Sequence, residues 1–193
     1  MGIATVIPAS TFEELQLDAG VLLKNFDPER SGTEISDSDI ICATTGGINI
    51  SCVPTYSDFG ADIDNCPNNT KELKHLDGWD CKITTTAVSI SEDMFRLALG
   101  AASPSSAGSG RKYVPNKNLN VSKDYQDVWW VGDIAGGGLV AAKLINALST
   151  GGFSLKTTKN NKGQLSIELT GHVSINAQDT MPMEFYSIPG AGA

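Results

Sequence analysis

Residues Ala147–Ile175 read ALSTGGFSLKTTKNNKGQLSIELTGHVSI. In the second half, Leu165, Ile167, Leu169, Gly171, Val173 and Ile175 alternate with Gln164, Ser166, Glu168, Thr170, His172 and Ser174. Successive side chains of a strand point to opposite faces, so the alternation predicts a strand with one apolar and one hydroxylic face. Phe153, Leu155 and Thr157 alternate with Ser154, Lys156 and Thr158 in the same way. Between the two arms lies Lys159–Gly163, KNNKG, whose Asn and Gly residues tolerate the positive φ of a turn. A helix of this pattern would scatter its apolar residues around the circumference. The stretch is therefore read as a long β-hairpin, part of a sheet with a core on one side and water on the other.

The bulk composition agrees. The chain has 193 residues, 40% hydrophobic and 19% charged, which suits one domain with a real core, residues 1–193, carrying extended arms. No apolar run approaches the roughly 18 residues of a membrane helix, so no membrane partner is expected. The first residues, MGIATVIPASTFEELQLD, lack the basic region and apolar core of a secretory signal. A Met-Gly start invites myristoylation, but the sixth position holds no Ser or Thr. A net charge of −8 disfavours a protein that grips nucleic acid, which needs Lys and Arg against phosphate. Without a signal, Cys42, Cys52, Cys66 and Cys81 are expected as free thiols, and no C-x-x-C pair marks a zinc site.

Taken in order, residues 1 to about 12 read as an N-terminal arm. Leu15, Leu17, Ala19 and Val21 alternate with Gln16, Asp18 and Gly20, a first strand ending near Leu23. Residues 24 to about 45 are long, polar and acidic, an excursion from the domain of the kind that is functional or disordered. Gly47–Thr55 alternates again, and Pro54 with the polar run from Tyr56 to Thr70 is expected to end it. Trp79–Ile90 is β-branched and Thr-rich, with Ile83, Thr85 and Ala87 opposite Lys82, Thr84 and Thr86. Ser91 then caps a helix over about 91–101: Glu92 and Asp93 suit the positive end of its dipole, and Met94, Leu97, Ala98 and Ala101 share one face. Gly100 lies near its end. Ser103–Gly110 reads as a flexible connection, and Tyr113–Asn120 as irregular or a short strand. Asp127–Asp133, DVWWVGD, is a strand with Trp129 and Trp130 on opposite faces, one for the core and the other for water or another subunit. Gly136–Gly138 is a turn. Leu139–Leu148 has helical propensity, but its Gly-rich borders and place between strands favour a strand. Pro182–Ile188 is a last strand, and about 187–193 form a C-terminal tail.

Chemistry-bearing motifs are sparse. His75 and His172 stand alone, with no Ser or Cys motif beside them, and GSGRK at Gly108–Lys112 lacks phosphate-loop spacing. Asp58, Asp62 and Asp64 lack the Gly and bidentate Glu of a calcium hand. No basic stripe carries interleaved aromatics. The expectation is a protein that is not an enzyme, with no catalytic residues, no cofactor and no metal.

Four long motifs in order, LQLDAGVLLKNFDP, TTGGINISCVPTYSDFGADIDNCPNNTKELKHLDGW, DVWWVGD and NALSTGGFSLKTTKNNKGQLSIELTGHVSINAQDTMP, resemble the major tail protein of long, non-contractile-tailed bacteriophages (siphophages), the tail tube subunit. The resemblance runs from about Leu15 to Pro182 and is weakest over Ser103–Lys123 and at both ends. It implies a mainly β (α+β) fold: two antiparallel sheets in a sandwich or rolled barrel with one flanking helix, related to the tubes of contractile tails and type VI secretion. It implies a structural virion protein without catalysis, made in the bacterial host cytoplasm and built into the virion tail. Six copies form a hexameric ring, and rings stack into a helical assembly that conducts DNA during genome ejection. The implied partners are further copies of the chain, tape-measure and tail-tip or terminator proteins, and DNA passing through the lumen without specific binding. Alternatives are another β-class virion protein, a tail terminator or head decoration protein, and a β-sandwich carbohydrate-binding module.

On that reading, the excursion would touch the next ring through Asp27, Glu29, Arg30, Glu34, Asp37 and Asp39. Ile48, Ile50, Phe153 and Leu155, on strands at about 47–55 and 152–158, would pair between subunits. Asp80, Lys82, Lys156 and Glu168, on polar strand faces, are the candidates for lining the lumen. Net negative charge would keep DNA from sticking to the wall.

Overall fold

The structure is a computed structural model that describes residues 7–29 and 35–190. Their elements run β1 (Gln16–Leu23), β2 (Ile40–Cys42), β3 (Thr44–Asp58), β4 (Lys74–Ala87), α1 (Glu92–Leu99), β5 (Ala102–Ala107), β6 (Gly110–Pro115), β7 (Gln126–Ile134), β8 (Leu139–Ser149), β9 (Ser154–Lys156), β10 (Gln164–Thr170) and β11 (Met183–Ile188). The fold is mainly β and antiparallel, with one helix.

The main sheet follows the order β2-β1-β7-β8-β10-β4-β3, with β11 also on β8 and β9 also on β10. It folds back on itself at β8. Leu139–Leu144 of β8 pairs with β11, whereas Leu148 and Ser149 pair with β10. Between the two registers sits Asn146 at φ 47. One strand thus serves two sheets, and a bulged residue turns the corner between them. At the other margin Ala43 alone separates β2 from β3, so the two ends of the rolled sheet meet. Ala43 N–H donates to Ser89 Oγ, and its carbonyl accepts from Val88 N.

The core fills the space between the halves. Leu22, Val128 and Leu144 from one side meet Ile83, Leu165, Ile167 and Leu169 from the other, and Met94, Leu97 and Ala98 of α1 plug the flank. The three branched residues of β10 are fully buried, each burial being worth about 1.5–3 kcal/mol. A smaller cluster of Leu23, Trp129, Val131 and Ala141 lies on the outer face of β1-β7-β8, under Phe26 and Tyr186.

The alternation at Gln164–Thr170 holds residue by residue, with Leu165, Ile167 and Leu169 buried and the even residues open to solvent. β9 and β10 form the hairpin, in the register Lys156 opposite Gln164 and Leu155 opposite Leu165. It is shorter than expected. The chain leaves the sheet after Thr170, because Gly171 runs against Leu144 and Pro182 where a side chain would not fit; Val173 and Ile175 end up exposed. The first arm keeps only three residues of 152–158, since Gly152 is at φ 67. The strand expected over Leu139–Leu148 is β8. Helix α1 begins as read, with Ser91 Oγ accepting from Met94 N at 3.3 Å, and ends at Gly100 with φ 67.

Other expectations need correction. β3 runs through Pro54 to Asp58; it is the terminal strand of the sheet, where a missing N–H costs no ladder bond. β4 starts at Lys74, earlier than Trp79, and stops at Ala87. The excursion is not one loop to residue 45: Ile40–Cys42 return as β2 and bury Ile41 and Cys42. Ser103–Gly110 is no connection but the larger part of a β5–β6 hairpin. Of Trp129 and Trp130, the first is buried and the second is half-buried against the main core. Trp129 is buried against Phe26 and Tyr186, and Trp130 lies over β1, its Nε1 donating to Ala19 O. At the N-terminal end, Ala9–Phe12 makes a 3-10 turn, and the carbonyls of Glu13 and Leu15 accept from Gly136 and Ala135. The last strand, β11, runs to Ile188, and residues 191–193 of the expected tail lie outside the described residues.

Candidate functional site

The outer face of the β9-β10-β4-β3 half is built by strand register. Thr45, Asn49 and Ser51 of β3 oppose Thr86, Thr84 and Lys82 of β4. Those three oppose Ser166, Glu168 and Thr170 of β10, and Ser154 and Lys156 of β9 complete the row. Because each pair shares a face, the surface presents mostly Thr, Ser and Asn, with a few charged residues among them. Part of it is a shallow groove of ≈ 440 Å³ lined by Thr45, Asn49, Thr84, Thr86, Ser166 and Glu168. No described element covers it.

All four lumen candidates, Asp80, Lys82, Lys156 and Glu168, lie on this face. Two carboxylates and two ammoniums share it, so it is close to charge-balanced although the chain is at −8. Lys82 Nζ bridges Asp80 Oδ2 at 2.8 Å. The hydrogen bond and charge of Asp80 hold the Lys82 ammonium above its usual range. Thr150 Oγ1 donates to Glu168 Oε1 at 3.2 Å and sits 2.8 Å from Thr170 Oγ1. Short hydroxyl and amide side chains held this way make a wet wall without a cluster of like charge that would bind an ion; among the described residues, no group of His, Cys, Asp and Glu is placed to hold a metal.

The edge beside this face is β3. Ile48 and Ile50 point to the core side, opposite Thr85 and Ile83, while the far edge of the strand has no partner strand among the described residues. Beyond Cys52 and Cys81 the β3–β4 hairpin leaves the body as an arm exposing Val53, Tyr56, Phe59, Leu76 and Trp79. Leu155 is on β9 and part-exposed. Phe153 precedes β9 and stacks on Phe95 of α1 at 5.4 Å.

The inter-ring candidates are elsewhere, between β1 and β2 at the opposite end of the sheet path from β3. Asp27 Oδ1 accepts from Glu29 N. Asp39 is structural: its carbonyl accepts from Lys24 N and its carboxylate from Asn25 Nδ2, pinning the base of the excursion. Asp37 and Glu29 are exposed. Arg30 and Glu34 lie outside the described residues.

Sequence reading missed a cleft of ≈ 460 Å³ between α1 and the β5–β6 hairpin, lined by Ile90, Phe95, Arg111, Tyr113 and Phe153. Tyr113 and Phe153 each stack nearly parallel to Phe95. No signal could have found it, because the Ser-rich hairpin that builds its wall reads as a linker. No helix among the described residues is long and apolar enough to cross a membrane. No protein-family model matches the chain, and neither does any curated protein.

Proposed function

We propose that the protein is a self-assembling structural subunit of a tail tube, in which copies join edge to edge into six-membered rings and the hydroxylic face lines the channel. The observation that carries this reading is the pairing of that uncovered, charge-balanced face with a long unpaired edge strand. A sheet edge of this length is an aggregation liability in a lone monomer; closing it against a neighbour in a ring removes it. A wall of Thr, Ser and Asn with balanced charges neither binds phosphates nor repels them strongly, which suits passage of DNA without retention. On this reading the mature protein resides in the virion tail, and tape-measure and tail-tip proteins set the length of the assembly.

The test is electron microscopy of the concentrated purified chain in negative stain, with size-exclusion across a range of concentrations. Hollow tubes or six-fold rings are expected. A chain that stays monomeric at every concentration, even with a tail-tip initiator complex added, would defeat the proposal and return weight to a monomeric binding module.

A further inference from the structure

Cys52 and Cys81 are directly opposite on neighbouring antiparallel strands, with their sulfurs 3.0 Å apart. Opposed residues in such a ladder have Cα atoms about 4.5–5.5 Å apart, inside the window of about 4.4–6.8 Å that a disulfide requires. The backbone therefore needs no rearrangement to accept the bond. The other two thiols have no such partner: Cys42 is opposite Leu22 on β1, and Cys66 sits in the arm beside Pro67 O and Thr70 Oγ1.

We propose that Cys52 and Cys81 form a disulfide modification site at the root of the β3–β4 arm, closed by a small-molecule disulfide of the oxidised-glutathione class. Its place in the fold gives the bond a mechanical meaning. Cys81 is buried at 1% exposure, whereas Val53 and Trp79 just beyond the pair are 54% and 37% exposed. The pair is the last inward-facing contact before the arm leaves the body, and the bond would clamp the arm's base. This holds whether or not the protein builds a tube.

The exchange balances. The part-exposed Cys52 thiolate attacks one sulfur of oxidised glutathione, breaks its S–S bond and releases one glutathione thiolate. The Cys81 thiolate then attacks the Cys52 sulfur and releases the second. Two protein thiols become one disulfide, one glutathione disulfide becomes two glutathione thiols, and the two protons pass through solvent to the departing thiolates. Burial holds the Cys81 thiol above its usual range, so its thiolate is scarce and closure is the slow step.

The purified full chain is incubated with oxidised glutathione, quenched in acid, and alkylated in guanidinium. The free-thiol count is expected to fall from four to two relative to the four cysteines of the sequence, with the peptides of Cys52 and Cys81 joined. A second readout needs no variant: trypsin cutting at the exposed Lys71 or Lys74 splits the arm, and the fragments should stay together on a non-reducing gel and separate with dithiothreitol. Four free thiols, a glutathione left on Cys52, or linkage to Cys42 or Cys66 would each overturn the proposal.

Discussion

Asn146 holds a left-handed conformation in a strand otherwise made mostly of Leu, Val, Ala and Ile. Its backbone N–H donates to Asp127 Oδ1 at 3.0 Å, its Nδ2 to His172 O at 3.0 Å, and its carbonyl meets the His172 ring at Nδ1. These contacts hold β8 where it changes sheet. Ala at this position pays the left-handed penalty of about 1–2 kcal/mol and loses a hydrogen bond worth about 1 kcal/mol. Asn146→Ala is therefore expected to cost about 2–3 kcal/mol in urea denaturation, with Asn146→Gly between it and the wild type; equal midpoints for all three would show that the corner is held by something else. A second residue-scale expectation concerns alkali. Burial pushes the Cys42 thiol up to about 11 and Cys81 to about 12, and the hydrogen bond to Glu184 pushes Tyr186 to about 12. Each group holds its proton more tightly when folded, so its stabilisation is complete below its unfolded value and drains as pH rises through the folded one. Urea midpoints should fall from about pH 9 toward 12, and Tyr186→Phe should flatten the upper part of that fall; a flat profile across this range contradicts it.

At the scale of elements, what the sequence made legible was whatever one strand or helix decides by itself. The two-residue alternation of β10 and β4 and the cap and apolar face of α1 are local, and all survive in the structure. What depends on a partner strand was not legible. β5 and β6 are Ser, Pro and Gly-rich and have little strand propensity; they pair because each lies opposite the other. β3 passes through Pro54 only because it is an edge, and edge position is a property of the whole sheet. The polar faces could be named strand by strand, but their union into one surface follows from the order β10-β4-β3, which no single segment encodes. The excursion shows the same limit. Its end holds β2 and the first residues of β3, and Asp39 is a clamp rather than a free contact. Removing residues 28–35 and bridging with Gly-Ser keeps Lys24, Asn25 and Asp39 together with Ser36, whose carbonyl accepts from Asp39 N. The variant should melt close to the wild type, because added or lost loop length costs only about 0.6 kcal/mol per doubling, yet fail to form long tubes in the microscope. Normal tube length would remove the inter-ring role from this segment.

For the whole molecule, assembly sets a long edge and an acidic arm with exposed apolar side chains against a net charge of −8. Charges on separate subunits are screened within about 10 Å at 0.1 M salt, so salt should promote polymerisation while leaving the fold unchanged. On the proposed reading β3 is the joining edge, and its Val53 and Tyr56 are 54% and 53% exposed with no described neighbour covering them. Lysine at such positions is how natural edge strands are kept from pairing. Val53→Lys with Tyr56→Lys should therefore shift the monomer's stability by no more than about 0.5 kcal/mol per site, as surface changes do. Light scattering at raised salt should show the wild type growing and the double variant remaining small. The double variant moves the net charge from −8 toward zero, which by itself would ease repulsion between subunits, so a loss of growth reads the arm and not the total charge. If the arm variant polymerised as the wild type does, the interface would lie on another edge such as β2, β9 or β11, and the reading of β3 as the joining edge would be lost.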